Sequence, residues 1–496
     1  MYIIIKSINK CSLILLLMLA MNSCGDDFAT VNTDPNSVTD VDDEYLFANA
    51  CRQTLRSYKW LQFPFATQYA HFYTGQSNSI FYDRYYDNFT SDKYKVVFEE
   101  AYYGPIRLVR GAMHMTEPGG DKENPTRYAM NQVIALANLV QLSDAYGSIP
   151  YLEGGLGQDN IMHPAYDPVE AIYKDAINKL GDVVEVLSSA EAKNGYPGAD
   201  PIFDNNIDNW VRFANSLRLR YAMRVRFADE ALAKQTVKNC LSKPLIEEHS
   251  QDVKLTNSDS EVEELMNPTY GQYDYSKWKM SGFIIDKLKE LDDPRLPIFA
   301  KPNEYERYVG LPNGLGDLEM SNWNIDTISD PSDKLVGKAS TLYFLTASEV
   351  WALRAEAALF GLSTENADQM YEKAIRSAHS QWSIGEDETS NYISSNSYAT
   401  LTGTTEQKFE QISTQLWLAV MPNGMEAWSN IRRTGYPVLP KRTAPTYDLG
   451  VSKGVLPTRL RYPSSEVNIN KTNYLQAIKE QGEDRITTKL WWDVKD

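Results

Sequence analysis

Several stretches of the chain repeat their apolar residues with the period of a helix. Over 125–146, Met130, Val133, Ile134, Ala137 and Val140 recur at i, i+3, i+4 spacing, Asn124 and Pro125 supply an N-terminal cap and first turn, and Gly147 follows the end. A second helix opens at Asp167-Pro168-Val169-Glu170, where Asp167 is expected to cap and Glu170 to reach back. Its stripe is Val169, Ile172, Tyr173, Ala176, Leu180, Val183 and Leu187. A third, over 208–227, carries Trp210, Phe213, Ala214, Leu217, Tyr221 and Val225, with Arg212, Arg218, Arg220, Arg224 and Arg226 between them. In an acidic chain these arginines read as a solvated face that pairs with acidic neighbours. Thr346-x-x-Glu349 opens a fourth helix running to Gly361, and 366–382 repeats Met370, Tyr371, Ala374, Ile375, Ala378 and Trp382. The last two predict a helical hairpin with the length of a tetratricopeptide unit, without that motif's consensus.

Between these helices, 147–166, 188–207, 250–345 and 430–470 lack periodicity and are rich in Asn, Asp, Gly, Pro and Tyr. Long irregular segments in a compact domain are usually functional or disordered, and aromatic content argues against disorder.

The N-terminus follows a different pattern. Lys6 and Lys10 precede an unbroken apolar run, Leu13 to Met21. That run is well short of the ~18 residues a membrane-spanning helix needs, so residues 1–23 read as a signal peptide. Ser23-Cys24 resembles a bacterial lipobox, which makes Cys24 the lipid-bearing first residue of the mature protein. Gly25-Asp26-Asp27 is similar to the acidic export tag of some surface lipoproteins. Residues 24–44 then read as a tether, and 45–496 as one domain, although length alone allows about three. Acyl chains buried in the bilayer hold such a protein to the outer membrane.

Charge narrows the partners. The formal net charge is −17, and −19 once the two leader lysines are removed, which excludes a nucleic-acid footprint. Of four cysteines, Cys11 leaves with the leader and Cys24 is acylated. Cys51 and Cys240 remain as one candidate disulfide.

No catalytic constellation emerges. The histidines (His71, His114, His163, His249, His379) form no metal-binding spacing, and no nucleotide or nucleophile motif is present. Gly154-Gly155-Leu156-Gly157 reads as a turn, and His163-Pro164 as a surface turn. A non-enzymatic protein without cofactor is expected. What stands out is aromatic content in loops: 31 Tyr and 10 Trp against 16 Phe. Tyr and Trp join a flat apolar face to a polar tip, which suits sugar rings with apolar C–H faces and hydroxyl edges. One cluster holds Tyr73, Tyr82, Tyr85 and Tyr86 with Gln76 and Asn78, the other Tyr275, Trp278, Trp323 and Asn324. These are the candidate glycan-binding residues, with Trp323 foremost because it lies among amides away from any helical stripe.

Six segments resemble the SusD/RagB family of nutrient-binding outer-membrane lipoproteins, especially its SusD-like starch-binding branch. They are Asn32-Thr-Asp-Pro-Asn36, Ser143-Asp-Ala-Tyr-Gly-Ser-Ile-Pro-Tyr151, Tyr166-Asp-Pro-Val-Glu-Ala-Ile-Tyr173, Trp210-Val-Arg-Phe-Ala-Asn-Ser-Leu-Arg-Leu-Arg220, Leu345-Thr-Ala-Ser-Glu-Val-Trp-Ala-Leu-Arg-Ala-Glu356 and Arg459-Leu-Arg-Tyr-Pro463. The resemblance implies a mostly α-helical fold, with TPR-like hairpins as scaffold and a loop-rich ligand side. It also implies a SusC-like TonB-dependent β-barrel transporter as partner, which the protein covers as a lid while delivering oligosaccharide. Some relatives capture oligopeptides instead, and the acidic charge would suit cationic ones. The shared segments read as helix starts, turns and packing, so the resemblance assigns no ligand residue.

Overall fold

The computed structural model describes residues 41–56, 61–75, 82–85, 92–189 and 194–495. Cys24, the leader, most of the tether, Gln76, Asn78 and Tyr86 lie outside them. The fold is mostly helical, and 43–496 forms one compact unit. Among the described residues the first helix begins at Asp43, inside the segment expected to be tether. The Asp43 side chain is fully buried and meets Arg127 at 2.9 Å and Lys122 at 3.4 Å, which fixes the first helix, Asp43–Arg56, to the scaffold.

Helices packed against one another make up the scaffold. Helix Pro125–Tyr146 starts as its sequence predicts, with the Asn124 side-chain oxygen accepting from Thr126 N at 3.0 Å and Arg127 N at 3.1 Å. Gly147 ends it at φ +91°, a conformation that favours glycine. Helix Val169–Leu187 buries the whole expected stripe and packs between Pro125–Tyr146 and Ile207–Val225. Asp167 does not cap it. Its carboxylate accepts instead from Tyr151 N at 3.1 Å and Leu152 N at 2.9 Å, so it ties down the preceding loop. Helices Ala347–Leu359 and Ala367–Gln381 form the expected hairpin. Thr346 caps the first, but Glu349 does not reach back, because it faces Arg220.

That pairing corrects the reading of the arginine-rich helix. Arg220, Arg224 and Arg226 are buried, not solvated. Arg220 grips Glu349 through two bonds of 2.6 and 2.7 Å, Arg224 meets Glu426 at 2.7 Å, and Arg226 joins Arg433 on Glu356. These pairs link Ile207–Val225 to Ala347–Leu359 and Gly424–Thr434. Removing one partner would strand a buried charge, so the network specifies how these helices meet.

Helices also occur where the sequence pattern was not read as helical. Thr405–Ala419 begins with a reciprocal pair, Thr404 with Gln407, and Gly424–Thr434 runs into the stretch expected to be irregular from 430. Cys51 and Cys240 are both free and buried, so the candidate disulfide is not formed.

Two short antiparallel ladders organise the loop-rich part. Val253–Leu255 pairs with Leu342–Leu345 and closes the base of the long excursion between them. Tyr73–Thr74 pairs with Lys279–Met280 and ties that excursion to the N-terminal segment. The excursion is only partly irregular, since it includes helices Pro268–Ser276 and Gly282–Glu290.

Candidate functional site

Three parts of the chain meet on the loop-rich side: residues 71–75 with 82–85, 309–330 and 440–450. Asp83 is their hub. Its carboxylate accepts from Thr74 Oγ1 at 2.8 Å, Asn313 Nδ2 at 3.2 Å and Gly314 N at 3.1 Å. Burial pushes its pKa up, opposed by the Arg442 guanidinium and these donors. Gly314 sits at φ +74°, and a Cβ there would collide with the Arg442 guanidinium. Arg442 lies 3.8 Å over the Tyr85 ring and donates to the Asp83 carbonyl. Further bonds join the second and third loops, from Asp448 N to Gly314 O at 2.9 Å and from Gly316 N to Thr446 O at 3.0 Å.

A small hydrophobic cluster of Leu311, Leu315 and Ile328, with Val309, Met320, Ile325 and Tyr447 against it, supports this region apart from the main core. Beside it opens a cavity of about 210 Å³. Phe283, Tyr447, Asp286, Arg442, Asn313 and His71 are among its lining residues. Burial, then the Arg442 charge, holds the His71 imidazole well below its ordinary pKa, so it is neutral at pH 7. His71 and Tyr85 both take positive φ, +57° and +58°. Non-glycine residues adopt that region only where the surroundings enforce it, and such positions cluster at functional sites. The cavity therefore combines two aromatic rings with a carboxylate and a guanidinium, groups that together contact a sugar's apolar face and hydroxyls.

Trp323 stands further along the second of these loops, 309–330, and is exposed. The turn before it is closed by Trp323 N to Met320 O at 3.1 Å. Asn324 caps the following turn, accepting from Asp326 N at 3.1 Å, which commits its side-chain oxygen and leaves its amide nitrogen free to donate. Exposed Tyr305 lies on the next loop over, which Asn303 Nδ2 ties to Thr327 O at 2.7 Å.

The other sequence candidates divide. Tyr73, Tyr85 and Trp278 are at most 2% exposed, so no ring face is open to a ligand. Tyr85 is covered by Arg442 and packs edge-on to Tyr69 at 5.8 Å. These three are core residues, a correction to their reading as ligand contacts. Tyr82 opens a short helical turn, Tyr82–Arg84, and of Tyr82 itself only the backbone is described. Tyr275 is highly exposed on helix Pro268–Ser276, on a different element from Trp323. Sequence reasoning missed Phe283 and Asp286 on one helix and Arg442 and Tyr447 on one loop, two stretches far apart in the chain that share no motif.

Other concavities lie elsewhere. A mostly apolar one of about 390 Å³ includes Leu61, Val97, Ala101, Pro105 and Leu142 in its wall. Its Arg56 is committed to the carbonyls of Glu263, Glu264 and Met266. Among the described residues no group of three His, Cys, Asp or Glu side chains could hold a metal, and no helix is long and apolar enough to cross a membrane.

A family model described as starch-binding and associating with the outer membrane matches residues 35–463. Solved structures share the fold. A chitin-binding SusD homolog from Flavobacterium johnsoniae superposes with a TM-score of 0.80 at 23% identity, covering 92% of this chain and 99% of that one. A structure named as a chitin-binding protein gives 0.78 at 24%, covering 91% and 99%. A SusD homolog from Bacteroides uniformis gives 0.76 at 24%, covering 92% and 100%. No curated protein matches.

Proposed function

Because the chain belongs to the SusD-like family of starch-binding proteins associating with the outer membrane, we propose that it is a non-catalytic, cell-surface glycan-binding lipoprotein. It is anchored through Cys24 and delivers oligosaccharide to a SusC-like TonB-dependent barrel, which it covers as a lid. The observation that carries the ligand class is the loop-side cavity. Phe283 and Tyr447 offer apolar rings, while Asp286 and Arg442 offer charged atoms for hydroxyls. At about 210 Å³ it is smaller than pockets that enclose a whole ligand, so it takes one end or one ring of a chain whose remainder lies on the surface. Exposed Trp323 and Tyr305 on the adjoining loops provide that surface.

The names of two structural neighbours make chitin oligosaccharides the first ligands to test, with malto-oligosaccharides second. Calorimetric titration of the mature, unlipidated protein against both series, with cationic oligopeptides as a third arm, checks the reading. Saturable binding of either glycan that weakens in Asp286→Ala supports it. Binding of the peptides alone would replace glycan capture with peptide capture in the same kind of uptake complex.

A further inference from the structure

The widest concavity among those described is a cleft of about 1160 Å³, separate in its lining from the loop-side cavity. It lies between strand Leu342–Leu345, the end of helix Ala367–Gln381 and the turn Asp333–Val336. Aromatic side chains form one wall. Trp382 meets Tyr343 at 5.8 Å between ring centroids and is braced from behind by Phe299 at 5.2 Å. Tyr270 also lines the cleft, with Lys338 Nζ at 5.4 Å from its ring centroid.

The polar lining is biased towards positive charge and donors. Lys301, Lys334 and Lys338 face it against two carboxylates, Asp259 and Asp333, in a chain whose net charge is −17. Lys301 is paired with Asp333 at 2.7 Å, and Lys338 with Glu261. Lys334 is exposed and has no ion pair among the described residues. His249 is oriented by Asp252, 2.6 Å from its Nδ1, and Asp252 is held in turn by Ala347 N at 2.7 Å, which leaves Nε2 as the second hydrogen-bonding atom. Gln381 is 5% exposed, and both its Nε2 and the Trp382 Nε1 lack an acceptor.

We propose that this cleft is a second ligand site, one that takes a saccharide unit bearing an anionic group, a uronic carboxylate or a sulfate ester. The apolar face of the ring lies on the half-buried Trp382, which Tyr343 braces, and the anion meets Lys334 and Lys338. Aromatic stacking alone would accept any sugar; the lysines select the charged one. The proposal does not rest on the neutral-glycan reading of the loop side, since the two linings share no residue.

The test titrates the mature protein with trigalacturonate, its methyl ester and a sulfated disaccharide, at low and at moderate salt. Either acid should bind, and whichever binds more tightly identifies the anion. The methyl ester should bind about tenfold more weakly than the free acid, the loss expected for a charge-assisted contact. The double variant Lys334→Ala/Lys338→Ala should weaken the acid by a similar factor, and added salt should do the same in the parent protein. Trp323→Ala, on the loop side, should leave acid binding unchanged. Equal affinity for acid and ester, an unaffected lysine variant, or loss of acid binding in Trp323→Ala would each overturn the assignment. Neutral-oligosaccharide titrations of the same variants report separately on the loop side, so failure at one site is distinguishable from failure at the other.

Discussion

Trp323→Ala separates a ligand-stacking ring from a packing ring. Trp323 is 36% exposed and belongs to neither hydrophobic cluster. A tryptophan has up to about 250 Å² of surface to bury, so roughly 90 Å² of this side chain remains open to a sugar. Covering that area at about 25 cal/mol per Å² is worth about 2 kcal/mol. Truncation should therefore weaken oligosaccharide binding roughly thirtyfold, since each 1.4 kcal/mol is a factor of ten. The covered remainder of the ring packs against the protein, so stability should also fall, by the roughly 1 kcal/mol typical of a point substitution. Trp323→Phe, which keeps a ring, should recover part of the affinity. The assay pairs calorimetric titration with a thermal melt of the same samples. If Tm drops by several degrees while glycan affinity holds, the ring is structural and the stacking surface does not include it.

Three further outcomes test the scaffold and the anchor. Cys24→Ser should abolish palmitate incorporation and partition into the detergent phase; retention of both would refute the anchor assignment. Glu356 is fully buried between Arg226 and Arg433, which hold its pKa at about 2, below the ordinary 4.5, despite the opposing effect of burial. Because the folded value is depressed, its contribution of about 3 kcal/mol is complete above the ordinary carboxylate range and is lost as pH falls towards 2. Acid titration of the melt should show a loss in that window, and Glu356→Gln should cost about 3–5 kcal/mol at neutral pH by stranding two buried guanidinium groups. A neutral-pH melt unchanged in that variant would contradict the network. Ala357→Pro, buried in the last turn of Ala347–Leu359, should cost about 3 kcal/mol through a lost hydrogen bond and ring clash with the preceding turn. Urea midpoints measure it, and a midpoint equal to the parent's would argue against this helix.

Helices were legible where the decisive interaction is local. The Asn124 cap, the stripe from Val169 to Leu187 and the hairpin after Thr346 all depend on residues three or four positions apart, and the structure has each of them. The pair Thr404 and Gln407 was equally local and could have revealed helix Thr405–Ala419. Asp167 was misread although its surroundings look like a cap, because its partners, Tyr151 N and Leu152 N, come from the preceding loop.

What only the tertiary structure decided is which polar and aromatic groups are covered. Arg220 and Arg224 look solvated in sequence, and become buried because Glu349 and Glu426 arrive from helices far along the chain. Tyr73, Tyr85 and Trp278 have the same local character as Trp323, yet they are enclosed and Trp323 is not. Phe283, Arg442 and Tyr447 share a cavity only because the loop carrying the last two is bonded to Gly314 and Gly316. The periodicity of apolar residues and the caps act over one helical turn, so sequence alone determines them. Burial and charge pairing depend on which distant element covers a side chain, and no local pattern encodes that.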